Sequence, residues 1–483
     1  MKLIPRSHLR IAAAVVLVII VAVSAVQHYS KSTKLSRLDT QTKTAFLRWR
    51  PQILGDETPG RGAMPGLIKG DDVYRLYAYP NPPILGLTLW PLAELPATVG
   101  AMLWFALKVG MAGPLFLWAF RLCAETSPPG PLSEAERGRL PDWAKLLTIG
   151  FSLHPILGDL SHGNVNIYIA FLCMAALELF RRGWDVTGGI VLALAIACKI
   201  TPALFVPYFG WKMTSAAVIA FRRREPLLPA VWNGGAKLLL GVAIGLGLWF
   251  FAVPGSILGW KHNLVLLESW YDVMAKPFLV EGKITSEHAN QSIPGTVTRL
   301  LTDQPSTIEY EDDKPVPGGY HTIANIGPEN ARLLIRACQA VWVGVLLWLG
   351  WTNVSKRDRR TGLRFTAECS YVFLGMLLFS ERTWKHHATT LVLPFAVIFA
   401  FVATQPLSRG WRIYFYATLG AVFLLALVPS AGPEEFQNTC QAYGTHTALF
   451  LLLIAAIAVV MRLSSTLPQR LVGDVGAVVG AGE

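Results

Sequence analysis

Twelve runs of apolar residues are distributed along the chain, separated by polar segments of which two, at 28–97 and 254–332, are long. Most of them approach the ~20 residues that an α-helix needs to cross a bilayer. The runs lie at 11–27, 98–121, 145–160, 165–180, 186–198, 203–221, 237–253, 333–351, 365–380, 388–403, 413–429 and 445–461. The pattern predicts an all-α polytopic membrane protein with about 12 transmembrane helices.

The distribution of basic residues predicts how these helices are oriented in the membrane. When the N-terminus is placed inside, every predicted inside loop carries Lys or Arg, as the positive-inside rule expects. Examples are Arg181 with Arg182, and the run Arg222–Arg224. We interpret the first apolar run as an uncleaved helix rather than a signal peptide, because further spans follow it and its cleavage pattern is weak. We therefore expect a multi-pass protein of the inner or plasma membrane with both termini in the cytoplasm.

The composition excludes other classes of protein. Of 483 residues, 53% are apolar and 15% are charged, whereas soluble domains carry roughly 25% charged residues. Six cysteines, most of them in or beside apolar runs, predict no disulfide framework. We expect one transmembrane domain over residues 1–470, with long outer loops at 28–97 and 254–332, and a disordered tail at 471–483.

The first outer loop is unusually basic. Residues 31–75 contain nine Lys or Arg and five Asp or Glu. These cations either meet an anion, such as a lipid phosphate, or simply lie beside anionic headgroups. Residues 42–54 have apolar side chains at helical spacing, with Arg48 and Arg50 on other faces, which predicts an amphipathic juxtamembrane helix. Asp39 precedes it, where a carboxylate either caps the helix or acts as a base toward a substrate at the membrane surface.

Polar motifs also occur at the outer ends of later helices. They are YAYPNPP at 77–83, GDLSHGNVN at 158–166, KITP at 199–202, NQS at 290–292 and ERTWKHH at 381–387. The prolines of the first motif prohibit regular helix and predict an extended corner. Ionisable groups at membrane depth usually face a cavity within the protein, so we expect the later clusters to line one shared site. A single buried histidine is more often structural.

In their order along the chain, these motifs resemble the multispanning glycosyltransferases of family 87. These enzymes are of the GT-C type and are similar to polyprenol-phosphate-mannose-dependent mannosyltransferases. The resemblance runs from about Asp39 to His387, on an early outer-loop aspartate followed by the YPNPP, HGNVN, KITP, NQS and WKHH motifs. The chain departs from the family pattern at His162, where a glutamine is usual, and in a Gly/Pro-rich insert at 55–70.

The resemblance implies that one sugar, mannose- or arabinose-like, is transferred with inversion from a polyprenyl-phosphate donor to a lipid or glycan acceptor at the outer face. It implies an aspartate as general base, which falls on Asp39; the insert leaves Asp56, Asp71 and Asp72 as alternatives. The groups expected at the donor phosphate are Lys199, His386, His387, Arg48, Arg50 and Lys385. The residues expected to line the substrate site are Tyr79, Asn81, His162, Asn164, Asn166, Asn290, Gln291 and Trp384.

Several motifs are missing from the sequence. It has no Walker loop, no GxGxxG after a strand, no metal-spaced Cys/His set and no GxSxG elbow. We therefore predict no resident metal or cofactor and no nucleic-acid partner; the partners are the donor, the acceptor and membrane lipids. A transporter of an anionic lipid or lipid-linked sugar is the alternative, although it predicts midplane polar residues in two repeated halves. An O-antigen-type ligase or polymerase is a third interpretation, because such an enzyme also uses a lipid-linked sugar donor.

Overall fold

The computed structural model describes residues 6–38, 63–77, 79–124, 140–311 and 314–466. The helices are α1 Arg6–Leu38, α2 Ala63–Lys69, α3 Val73–Tyr77, α4 Pro83–Ala93, α5 Ala97–Ala124, α6 Asp142–His162, α7 Asn166–Arg181, α8 Asp185–Cys198, α9 Phe205–Arg222, α10 Leu227–Leu258, α11 Trp260–Trp270, α12 Ile293–Leu301, α13 Pro328–Leu349, α14 Gly362–Leu378, α15 Val392–Thr404, α16 Arg409–Ala431, α17 Glu434–Ala442 and α18 Thr445–Thr466. Short helical turns precede α9 at Thr201–Leu204, continue α11 at Tyr271–Ala275 and Lys276–Leu279, precede α14 at Arg357–Arg359 and precede α15 at Lys385–Leu391.

All twelve apolar runs are helical, which confirms the all-α membrane class. Eight described helical segments are long and apolar enough to cross a bilayer: α1, α5, α10, α13, α16 and α18, together with α9 and α15 when each is counted with the short helical turn that precedes it. The other four runs form α6, α7, α8 and α14, of which α7, α8 and α14 have only 16, 14 and 17 residues. The protein is therefore multi-pass, and a total of 12 spans stays a prediction.

The segment between α12 and α13 contains a hairpin that the sequence analysis did not predict. Strand β1, Thr307–Glu311, pairs antiparallel with β2, Lys314–Gly319, and Glu311 lies opposite Lys314. Two prolines lie within β2, where each removes a possible ladder hydrogen bond. Two other predictions, the amphipathic helix at 42–54 and the tail at 471–483, lie outside the described residues.

Helices α14 and α15 form the centre of the bundle. Every residue of α14 except Arg364 is buried, and so are the first ten residues of α15. A helix that is apolar on all sides is stable only when other helices or lipid surround it. Helix α18 packs against α14 and α6 packs against α15, so the segment between α14 and α15 is held in place from both sides.

Helices α8 and α10 approach each other so closely that only glycine fits at the contact. A Cβ on Gly241 would collide with the backbone carbonyl of Val186, and a Cβ on Gly189 would collide with that of Leu238. Small residues allow close backbone approach between helices in membranes, where packing rather than water drives association.

Gly241→Ala should therefore destabilise the protein by about 1–3 kcal/mol, the usual cost of overpacking a tight contact. Gly247→Ala is the matched control on the same helix, because a Cβ there meets nothing within 4 Å. The control should leave the melting temperature in detergent unchanged or slightly higher, since alanine favours helix. Equal melting temperatures for the two variants would contradict this packing.

Candidate active site

A cavity of about 1470 Å³ lies beside the turn that joins α6 to α7. Its wall comes from distant parts of the chain: the corner before α4, the α6–α7 turn, the segment after α8, the end of α11, helix α13 and residues 380–387. The basic side chains that line it are Lys199, Lys283, Arg332, Arg336, Arg382 and Lys385, together with the imidazoles His162, His386 and His387. Among the described lining residues, Glu381 is the one carboxylate. The lining is therefore strongly cationic.

Lys199 is held at the wall by a chain of buried polar contacts. Its Nζ donates to Asn166 Oδ1 at 2.8 Å, and Asn166 Nδ2 donates to Asp159 Oδ1 at 2.9 Å. The Asp159 carboxylate also accepts the backbone N–H of Asn166 at 3.2 Å, at the start of α7, and its Oδ2 lies 3.5 Å from Lys108 Nζ. A buried carboxylate needs such partners, so the network fixes Asn166 and, through it, the ammonium group that faces the cavity.

An aromatic cluster forms the wall beside Lys199. The ring centroids of His162 and His386 lie 5.3 Å apart, and those of His386 and His387 lie 5.0 Å apart. Trp384 stacks on His387 at 6.2 Å with an interplanar angle of 17°. The Trp384 backbone N–H donates to His387 Nδ1 at 3.4 Å, so a neutral His387 carries its proton on Nε2. Both adjacent histidines, His386 and His387, line the cavity.

Asn290 and Gln291 fix the cavity wall through hydrogen bonds to backbone groups. Asn290 Nδ2 donates to the Glu381 backbone oxygen at 2.8 Å, and its Oδ1 accepts the Thr383 N–H at 3.0 Å. The Gln291 N–H donates to the Thr383 oxygen at 2.6 Å, and Gln291 Nε2 donates to the Gln441 oxygen at 2.8 Å. Both side chains are fully buried. They join the segment before α12 to residues 381–383, at the start of the segment 381–387 that carries the histidines.

Arg299 on α12 ties the same loops together without any carboxylate partner among the described residues. It is fully buried, and its guanidinium donates to the backbone oxygens of Ser286, Glu287, Asn290, Gln441 and Ala442 at 2.7–3.2 Å. Burial lowers the pKa of Arg299 to about 10, which leaves it charged at neutral pH.

Arg299→Lys should lower the melting temperature markedly, by the equivalent of about 3 kcal/mol or more, because an ammonium group cannot reach all these carbonyls and buried acceptors stay unpaired. Arg336→Lys is the control for stability, since Arg336 is exposed to the cavity. The measurement is thermal unfolding in detergent. A melting temperature of Arg299→Lys equal to that of the control would contradict this structural role.

Nine of the predicted site residues lie together in this cavity. They are Asn81, His162, Asn164, Asn166, Lys199, Trp384, Lys385, His386 and His387. Three others, Tyr79, Asn290 and Gln291, do not line this cavity. Tyr79 is fully buried, 6.1 Å from the Tyr74 ring by centroids, and the two amides hydrogen-bond to the chain as described above.

The predicted aspartates and first-loop arginines are not part of the described cavity wall. Asp71 and Asp72 are described but do not line it. Asp72 accepts the backbone N–H of Tyr74 at 3.2 Å and the Ser269 hydroxyl at 2.7 Å, so it caps α3 and binds α11. The other four lie outside the described residues: Asp39, Asp56, Arg48 and Arg50.

Sequence reasoning overlooked part of the cationic wall. Arg332 and Arg336 are four residues apart on α13, so they share one face of that helix. Lys283 comes from a segment that no motif marked, and Glu381, although it begins the ERTWKHH motif, was not singled out as a site residue. The four-residue spacing of the arginines was a signal in the sequence, whereas the position of Lys283 depends on how the second outer loop folds.

Comparison with known proteins agrees with this arrangement. The model of glycosyltransferase family 87 matches residues 79–381, which is more than half of the chain and includes most of the segments that form the cavity. No curated protein and no solved structure gives a significant match. The helical membrane architecture and the family match together show that this multi-pass membrane protein belongs to glycosyltransferase family 87.

Proposed function

We propose that the protein transfers a single mannose- or arabinose-like sugar from a polyprenyl-phosphate donor to a lipid or glycan acceptor. The observation that carries this proposal is the mixed lining of the cavity. Beside the cations, the cavity is lined by apolar side chains that include Trp270, Met274, Phe278, Trp342 and Phe379. An amphiphile with an anionic headgroup and a hydrocarbon chain complements both kinds of lining residue.

The transfer step needs one base and several fixed cations. The acceptor hydroxyl oxygen attacks the anomeric carbon, the bond from that carbon to the phosphate oxygen breaks with its electron pair going to the phosphate, and the base takes the hydroxyl proton. Attack from the face opposite the phosphate inverts the anomeric centre. The phosphate leaves as an anion, so Lys199, Lys385 and the imidazoles of the cavity stabilise it without first protonating it.

Asp39 is the proposed base, with Asp56, Asp71 and Asp72 as the alternatives. The capping role of Asp72 supports a different residue as base, because its carboxylate already accepts hydrogen bonds from α3 and from Ser269.

The test is a donor panel. Purified protein is incubated with polyprenyl phosphates that carry mannose, arabinose or glucose, together with a mixed lipid and glycan acceptor extract, and released polyprenyl phosphate is measured. We expect release from one of the first two donors only when acceptor is present. Uptake of intact donor into vesicles without release would favour the transporter instead.

The proposed location of the site is the outer face of the inner or plasma membrane, and one labelling experiment tests it. The side chain of Ile68, in α2 of the first outer loop, is 39% exposed. In intact cells, Ile68→Cys should react with an impermeant thiol reagent above the level of the wild type, whereas Arg223→Cys, in a predicted inside loop, should react only after lysis. The reverse pattern would invert the topology.

A further inference from the structure

The cavity contains a carboxylate that the transfer step proposed above does not use. Glu381 lies on the cavity wall, three residues after the end of α14 and at the start of segment 381–387, which carries Lys385, His386 and His387. A site that bound only a phosphate would be weakened by a negative charge among its cations. The ligand must therefore offer hydrogen-bond donors at this point.

The backbone around Glu381 is held firmly in place. Its carbonyl oxygen accepts from Asn290 Nδ2 at 2.8 Å, and the neighbouring Thr383 hydroxyl donates to the Leu377 oxygen at 2.6 Å. The Ser380 hydroxyl donates to the Arg382 oxygen at 3.2 Å. The residue is therefore presented from a fixed segment, which is how binding groups reach a reproducible geometry.

The Glu381 carboxylate is accessible to a ligand in the cavity. Among the described residues, the Glu381 side chain has neither a hydrogen bond nor an ion pair, and it is half-buried against the cavity. Burial raises the pKa of Glu381 to about 7, against the opposing influence of Arg382 and Lys283. Loss of water without a protein partner makes this group receptive to hydrogen bonds from a ligand.

The charges around Glu381 determine which kind of hydrogen-bonding group on a ligand can bind to it. Arg382 on its own segment and Lys283 on the facing loop are cations that also line the cavity, so a ligand ammonium group would be repelled. Neutral hydroxyl groups are not. The two oxygens of a carboxylate can accept from two adjacent hydroxyls at once, an arrangement that sugars provide.

We propose that Glu381 binds adjacent hydroxyls of the sugar on the donor lipid. This assignment rests on the proposed function, because the donor phosphate is placed against Lys385, His386 and His387 on the same segment. The sugar is bonded directly to that phosphate, so its hydroxyls come within reach of a carboxylate a few residues away on the same wall. Glu381 then contributes to recognition of the sugar rather than of the lipid.

The test compares three phosphodiester probes of equal charge, because a phosphomonoester carries a second charge that titrates near about pH 6. Equilibrium binding of methyl farnesyl phosphate, and of farnesyl phosphate esterified to mannose or to arabinose, is measured with purified protein. In the wild type, one sugar-bearing probe should bind about 10-fold more tightly than methyl farnesyl phosphate, the scale of a hydrogen bond to a charged group. Glu381→Gln and Glu381→Ala should lose most of this gain and bind methyl farnesyl phosphate at least as tightly as before.

Glu281→Gln is the matched control, since Glu281 is exposed and does not line the cavity; it should keep the gain from the sugar. Equal weakening of all probes in the Glu381 variants, or no change in either of them, overturns the assignment. So does a lower kcat with unchanged donor binding, which would make Glu381 a base, or a higher KM for the acceptor alone. A wild type that binds none of the three probes overturns the proposed function itself, and this assignment with it.

The pH dependence gives a second readout. Hydroxyl donors favour the ionised carboxylate, so the sugar-dependent gain should be complete above pH 7 and should fall as the pH drops below 7. Whatever gain remains in Glu381→Gln should not depend on pH. The other titratable groups of the cavity are the same in both proteins, so their titration does not explain a difference between them; they are His162, His386, His387, Lys199 and Lys385. A gain with the same pH dependence in the variant would contradict the assignment.

Discussion

Lys199→Ala should lower kcat/KM for the polyprenyl-phosphate sugar by about 10²-fold, the usual cost of removing one fixed group that stabilises developing negative charge. The side chain faces the cavity, and Asn166 fixes its ammonium group at 2.8 Å. Its loss removes a positive charge that is already in place before the phosphate leaves. The measurement is the rate of polyprenyl phosphate release at several donor concentrations.

Lys237→Ala is the matched control for this prediction. Lys237 on α10 also donates to an asparagine, Asn233 Oδ1 at 2.9 Å, but it does not line the cavity. Both variants remove a partly exposed lysine and leave an amide oxygen without its partner, so they should have similar melting temperatures. If the two variants also had similar kcat/KM values, Lys199 would have no special role at the donor.

Asp39→Asn should lower kcat by about 10²- to 10⁴-fold, which is what a general base contributes. Asparagine has nearly the same shape but cannot take the acceptor hydroxyl proton. Donor binding should change little, because the base acts on the acceptor. The measurement separates kcat from equilibrium binding of farnesyl phosphate.

Three parallel variants locate the base if Asp39 is not that residue. Asp56→Asn and Asp71→Asn should keep near-normal turnover. Asp72→Asn should mainly cost stability, about 1 kcal/mol, because the carboxylate caps α3 and binds Ser269. Normal turnover in Asp39→Asn with a large loss in one of the others would assign the base to that other residue.

The helices could be predicted from the sequence because lipid requires long apolar runs, and those runs are visible without a structure. Their ends were less visible. Helix α10 extends over Leu227–Leu258, beyond the apolar run at 237–253, since apolar residues continue on both sides of Lys237. The β1–β2 hairpin was missed because Pro315 and Pro317 lie within its second strand.

The site could be predicted only in part. The KITP and WKHH motifs place charged and aromatic groups where lipid would penalise them, and the structure brings Lys199 and His387 to one cavity. The amides of Asn290 and Gln291 can bind either a ligand or backbone carbonyls, and the sequence does not distinguish the two uses. Glu381 could not be recognised, because its importance depends on being the sole described carboxylate among the cations of the lining.

An experimental structure with a bound polyprenyl phosphate tests the central claim most directly. We expect the phosphate in the cavity, with an oxygen at hydrogen-bond distance, about 2.7–3.2 Å, from Lys199 Nζ, and the hydrocarbon chain in contact with apolar lining residues such as Trp270 of α11 and Trp342 of α13. A phosphate held outside this cavity, with Lys199 and the histidine segment making no contact to it, would contradict the account.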